Sequence, residues 1–253
     1  MSVRWAIIFF KAFVISSIIW GFSYWRSLKV PLTISSLQNM QTEPAQTATT
    51  TKPFTSSAKG HTYQIEPVYD YEIYGLVVSD HHSDTWYDSD HESWNDYLNT
   101  KDICVIWGAN VLNPHLPKLN FSHGTWTCYV STKSGEAWQS FKQNQLSNNH
   151  IIPANKEIEK LVSNSNVGDE IRIKGHLVNY SVNNGPQRKT STVRTDKENG
   201  ACEIIYVTEF TTLASHNNLW NKLKSLTQVL SVFFLLAGIF SMFALPFLTR
   251  DEY

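Results

Sequence analysis

The sequence predicts a membrane-anchored α+β protein: a β-rich, partly closed barrel-like domain with one or two helices, flanked by two transmembrane helices. Three observations lead there. Each extremity of the 253-residue chain carries an apolar run long enough to cross a bilayer. The middle shows the period-two alternation of strands. The formal net charge is only -1, so no bulk charge is available to hold a nucleic acid.

The first run, "WAIIFFKAFVISSIIWGFSYW" over residues 5–25, follows a short tail at 1–4. Lys11 interrupts it, but a lysine near one end can carry its ammonium to the interface. Trp20, Tyr24 and Trp25 suit the aromatic belt at the other end. No small-residue cleavage site follows, so the run reads as an uncleaved signal anchor rather than a signal peptide. The second run, "LTQVLSVFFLLAGIFSMFALPFL" over 226–248, carries no charge and places Pro246 in its last turn, before a tail at 249–253. Backbone polar groups in lipid must pair internally, which makes each run a helix.

Two crossings put both termini on one side. Arg26, Lys29, Lys222 and Lys224 flank the loop side; Arg4, Lys11 and Arg250 flank the terminal side. That count mildly favours a cytoplasmic loop, but long loops translocate largely regardless of charge. The order of basic residues before an apolar run is that of an exported anchor. The expectation is therefore a two-pass protein of a bacterial inner membrane with its soluble domain in the periplasm.

Residues 26–60 include "QNMQTEPAQTATTTKPFTSSAK", rich in threonine and poor in apolar side chains. Such a segment cannot bury enough surface to offset chain entropy, and it is expected as a flexible Thr-rich linker. Residues 214–225 are expected as a short juxtamembrane extension of the second span, giving a mount that is tight at the C-terminal side and loose at the N-terminal side.

Between them, residues 61–213 form the predicted soluble domain. Strands are expected at "YEIYGLVVS" (Tyr71 to Ser79), "DICVIWG" (Asp102 to Gly108), "TWTCYVS" (Thr125 to Ser131), "DEIRIKGHLVNY" (Asp169 to Tyr180) and "CEIIYVTEFTTL" (Cys202 to Leu213). In the fourth, Ile171, Ile173, Gly175 and Leu177 share one face, and the mid-strand Gly175 suits a bend or bulge. The Gly168-Asp169 pair before it signals a turn. "NKEIEKLVSNS" (Asn155 to Ser165) is the best helix, and "SGEAWQSFKQNQL" (Ser134 to Leu146) a weaker one.

"DICVIWG", "SNNHIIPA" (Ser147 to Ala154) and "RTDKENGACE" (Arg194 to Glu203) occur in an order and spacing that resembles an uncharacterised family of bacterial exported or membrane-anchored proteins. The shared patterns are Asp-x4-Trp-Gly, Ser-Asn-x-His-x-Ile-Pro-Ala and Gly-Ala-Cys-Glu, and they cover about Tyr71 to Val207. The resemblance implies an envelope location and no particular chemistry. The chain departs from the pattern at "GPQRKTSTV", where tryptophans are common, and at Glu198, where a glycine is expected.

Four motif positions are candidate binding residues: Trp107, His150, Arg194 and Asp196. His150 in a loop before a helix would ordinarily fix backbone, and a catalytic role needs a carboxylate partner, with Asp102, Asp196 and Glu203 in the running. Arg194 and Asp196, two apart, share a face of extended chain. Metal candidates come from "HHSDTWYDSDHESWND": His82 and Asp84 point the same way on a strand, with His91 and Glu92 closing from a turn, while His81 faces away. No HExxH or CxxC anchors the set, so a hydrated acidic loop is favoured, and no cofactor is expected. Cys104 and Cys128 either pair between neighbouring strands or, with Cys202, remain three thiols.

The functional expectation is a membrane-mounted binding or assembly module of the bacterial envelope, not catalytic, whose partners are the lipid bilayer and an envelope protein and not nucleic acid. The alternative is a metal-assisted hydrolase with a site around His82, Asp84 and His91, or around His150.

Overall fold

The computed structural model describes residues 2–85, 88–195 and 202–243. Residues 244–248 of the expected second span, the 249–253 tail and Asp196 lie outside the described residues. The chain divides into two compact units: residues 1–29 together with 217–253, and Val30–His216.

The first unit is a pair of apolar helices, α1 (Ser2–Ser27) and, at the other end of the chain, a helix over Asn218–Phe243. Both are long and apolar enough to cross a membrane. They pack against each other. Ser231 Oγ donates to Ser16 Oγ at 2.9 Å and Ser17 Oγ to Ser231 Oγ at 3.4 Å, and Phe22 meets Trp220 edge-on at 5.6 Å. Small hydroxyl residues at the contact let the helices approach and bond across it, as apolar helices in lipid do. Asn217 Nδ2 donates to the carbonyls of Ser27 and Lys29, which occupies two acceptors left over by the end of α1.

The second unit is an α+β domain. In chain order it contains α2 (Leu37–Met40), β1 (Ala45–Ala48), β2 (Phe54–Ala58), β3 (His61–His81), α3 (Ser89–Ser93), β4 (Lys101–Ile106), β5 (Asn120–His123), β6 (Cys128–Ser131), α4 (Gly135–Ser140), β7 (Leu146–Pro153), α5 (Lys156–Ser163), β8 (Asp169–Val182), β9 (Gln187–Arg188) and β10 (Glu203–Ser215). The C-terminal helix of the other unit is α6.

The main sheet is mixed and ring-like. β3 pairs with β4, β4 with β7, β10 with β8, and β8 with β3, all antiparallel; β7 and β10 run parallel. Each of the five strands therefore has a partner on both sides. Inside lie Tyr71, Ile73, Ile103, Val105, Ile151, Ile171, Ile173, Leu177, Ile205 and Val207, the inward half of each alternating pattern. α5 closes this core with Ile158 and Val162; Asn155 caps it, its side chain accepting the N–H groups of Glu157 and Ile158. The ring closes tightly at Gly175, where a Cβ would sit 2.0 Å from the Tyr206 carbonyl oxygen. The β8–β10 register shifts there, between Val207 and Glu209. Gly168, at φ 88°, makes the turn into β8.

Residues 26–60 depart from the flexible linker expected. β1 and β2 both pair with β3, Met40 is completely buried, and Glu43 accepts from Trp107 Nε1 at 2.8 Å. Threonine-rich composition argued for disorder, but backbone ladders need no apolar side chains. The domain accordingly runs from Val30 to His216 rather than 61–213; only His216 and Asn217 separate β10 from α6, and α6 covers 218–225 as a continuation of the second apolar run. β7 is a second departure: Leu146–Pro153 is a strand, and His150 sits in its middle instead of in a loop.

Candidate functional site

The outer face of β4 and β7 carries the chemistry. In their antiparallel register Asp102 is the direct partner of His150, and Cys104 of Asn148. Cross-strand partners project on the same side, so these four side chains form one patch. The β5–β6 hairpin covers part of it, tied down by a disulfide between Cys104 and Cys128 with a Cα–Cα distance of 6.1 Å. Beside the covered part a cleft of about 1230 Å³ opens, with His150, Asn148, Cys202, Arg194, Arg188 and Trp126 among its walls.

Asp102 Oδ1 lies 2.7 Å from His150 Nδ1. Burial alone would lower the imidazole pKa, but the charge and hydrogen bond of Asp102, with a smaller contribution from Cys202, push it up to about 10. Burial alone would likewise raise the Asp102 carboxyl, but His150 and the amide of Asn99 outweigh it and hold it below its ordinary value. The Asn99 amide donates to Asp102 Oδ1 at 2.7 Å. Cys202 is a free thiol. Around it, Asn148 Nδ2 lies 3.6 Å from Sγ and donates to the Trp126 carbonyl at 3.0 Å, while Asn148 Oδ1 is held 2.7 Å from His123 Nε2. The Cys202 thiol itself donates to the Trp126 carbonyl at 3.6 Å, on the same cleft as His150.

Arg188 and Arg194 come from the segment between β8 and β10. Arg188 stacks on Trp126 at 4.7 Å, donates to the Tyr180 hydroxyl at 2.8 Å and pairs with buried Asp96. Arg194 pairs with Glu203, donates to the Tyr71 hydroxyl at 2.6 Å and lies over Trp107. Burial would lower both guanidinium pKa values, but the surrounding hydroxyls and carboxylates raise them. Trp107 itself is fully buried behind Arg194, a core residue rather than a cleft wall.

A second histidine group adjoins the first. Asp88 caps α3, accepting the His91 backbone N–H; its Oδ2 also lies 2.9 Å from His91 Nδ1 and 2.7 Å from His81 Nε2. His91 Nε2 is 3.2 Å from the Asn99 amide nitrogen. One polar chain therefore connects His81, Asp88, His91, Asn99, Asp102 and His150. The ligand atoms of His81, Asp88 and His91 lie within 4.8 Å of one another and could hold an ion, although their mutual hydrogen bonds account for the same geometry.

Of the metal candidates, only His91 belongs to this cluster. His82 and Asp84 form a separate contact at 3.7 Å near the surface, and the hydrogen-bonded set does not include Glu92. β3 ends at His81, and His82 and Asp84 lie beyond it in a turn where strand alternation does not apply; it is His81 that meets Asp88. Asp88, Asn99, Asn148, Arg188 and Cys202 were not singled out; Asp88-x-x-His91 does carry a capping pattern, whereas the others become neighbours only through the sheet. No protein-family model, curated protein or solved structure matches the chain.

Proposed function

We propose that this protein is a two-pass module of a bacterial inner membrane whose domain faces the periplasm and binds a ligand or envelope partner in the cleft beside β7. The observation that carries the reading is the cleft itself, walled by His150, Arg188, Arg194 and Trp126 on a domain whose chain is bracketed by two apolar helices. Concave sites with a few convergent polar groups are where proteins of this size bind. The Cys104–Cys128 disulfide supports an oxidising compartment. The five-strand ring, with one parallel pair and a helix between its third and fourth members, supports a small barrel of OB type, a fold that binds extended ligands across one face. The envelope family resembled by the motifs points to the same location.

Two measurements test this. A topology reporter fused to the C-terminus should report cytoplasm, and one inserted at residues 49–53 should report periplasm; the opposite result ends the periplasmic assignment. A photocrosslinking side chain at Val193, on the cleft, should capture a partner in intact cells, whereas one at Lys156 on α5 should not. Equal capture at both positions, or none at Val193, would remove the cleft from the reading.

A further inference from the structure

We propose that the cleft takes an extended peptide segment with carboxylate side chains, which adds as a short strand to the free edge of β7 and seats a carboxylate on Arg188. The proposal rests on the cleft being the ligand site and names what that site accepts.

The free edge follows from the register. β4 pairs with β7 from Leu146 onward, whereas β10 begins opposite Asn149. Among the described residues, Leu146, Ser147 and Asn148 therefore have a paired strand on one side only. All three are walls of the cleft. An open strand edge presents backbone N–H and C=O groups that another extended backbone can pair with. An added strand would lie end to end with β10. A peptide repeats such groups at the strand spacing of about 3.3 Å per residue, which a lipid or a glycan does not. The edge is only about 10 Å long at that spacing, so side chains must supply the rest of the affinity.

Charge selects those side chains. Arg188, in β9, spends one nitrogen on its protein partners: Nη1 donates to the Tyr180 hydroxyl at 2.8 Å and pairs with Asp96. Its Nε and Nη2 donate to nothing among the described residues. Those two nitrogens share one edge of the guanidinium plane, the fork that a carboxylate fits with two hydrogen bonds. Trp126 at 4.7 Å and Tyr180 at 5.5 Å hold the group in place, so little freedom is lost on binding. Arg194 differs, because both its terminal nitrogens are spent, on Glu203 and Tyr71. Lys142 and Lys189 are exposed on the cleft and have no carboxylate partner among the described residues. Asp96, Asp102 and Glu203 are taken by Arg188, His150 and Arg194, so the two lysines stand as uncompensated charge. Val130, Leu146 and Val193 offer apolar contacts to the alternate side chains of a bound strand.

The test uses the full chain in dodecyl maltoside micelles and the rhodamine-labelled peptide Val-Glu-Val-Glu-Val-Glu-Val, followed by fluorescence anisotropy. A glutamine version removes the charge. An acidic version methylated at every backbone nitrogen keeps the charge but cannot pair with a strand edge. The acidic peptide should bind saturably, and each control should bind about tenfold more weakly or worse. Arg188→Lys keeps a cation beside Asp96 but loses the fork, and should weaken the acidic peptide about tenfold. Lys142→Gln with Lys189→Gln should also weaken it about tenfold. Neither change should alter the glutamine peptide's affinity. Should Arg188→Lys fail to fold, the two exposed lysines still decide. No saturable binding, or equal affinity for the acidic and glutamine peptides, would overturn the proposal. So would equal affinity for the acidic and methylated peptides; displacement of both by phosphatidylglycerol would then identify an anionic lipid as the occupant. Partner capture at Val193 is read independently, so the binding reading can survive its loss.

Discussion

Asp102 and His150 are direct partners across the β4–β7 ladder, and their side chains meet at 2.7 Å with the carboxylate fully buried. The pair sits on the outer face of the sheet, between the polar chain leading to His81 and the thiol of Cys202. Its charge state links stability to pH.

His150 is raised in the folded chain from an ordinary 6.5 to about 10. Between those values the folded state holds more protons than the unfolded one. The stabilisation is therefore complete below about pH 6.5 and disappears as pH rises through about 10. Asp102 acts oppositely: its stabilisation is present above its ordinary 3.8 and is lost as pH falls through its lower folded value. Urea midpoints should decline from pH 7 to 10 in the wild type, and His150→Gln should flatten that decline. Asp102→Asn, which leaves a buried imidazolium without its counter-charge, should cost about 3–5 kcal/mol at pH 7.

Glu170 ties together both ends of the domain. Its fully buried carboxylate accepts the N–H groups of Ser35 and Ser36 at 2.5 and 2.6 Å, and His216 Nε2 lies 2.6 Å away. Burial would raise the carboxyl, but these partners hold it below its ordinary range. Glu170→Gln should cost about 1.5–3 kcal/mol in equilibrium unfolding, the range for hydrogen bonds to a charged group. Proteolysis should then begin near residues 30–36, and an unchanged cleavage pattern would show that the carboxylate does not anchor this segment.

Met40 contributes a fully buried side chain to the cluster that contains Leu76, Ile106 and Phe141. Met40→Ala should destabilise the domain by about 2–5 kcal/mol, measured by thermal or urea unfolding. A near-neutral result would return residues 26–60 to the role of a loose tether.

The disulfide joins Cys104 in β4 to Cys128 in the hairpin that roofs the sheet, 24 residues apart. Removing it with Cys104→Ser and Cys128→Ser together should cost about 3 kcal/mol, from the entropy of the closed loop. Because the hairpin also holds Trp126 and His123, the double variant should alkylate Cys202 faster as the cleft opens.

Local pattern alone was enough for the elements whose chemistry repeats along the chain. The charge-free run at 226–248 and the aromatic-flanked run at 5–25 identified long apolar helices, and alternation at Ile171, Ile173 and Leu177 identified β8 and its inward face. Asp102 was weighed as a partner for His150, although nothing in the spacing required it. What tertiary structure alone decided was adjacency. β7 was hidden because Ser147, Asn148, Asn149 and His150 are polar on both faces, one against the ring interior and one against the cleft, so no alternation remained to detect. The segment at 45–58 was hidden because its stabilisation comes from ladders to β3, which any backbone can form once a partner strand is present. Cys202, some fifty residues after His150, reached it only because β10 lies parallel to β7, and sheet pairing of that kind is written in no local stretch of sequence.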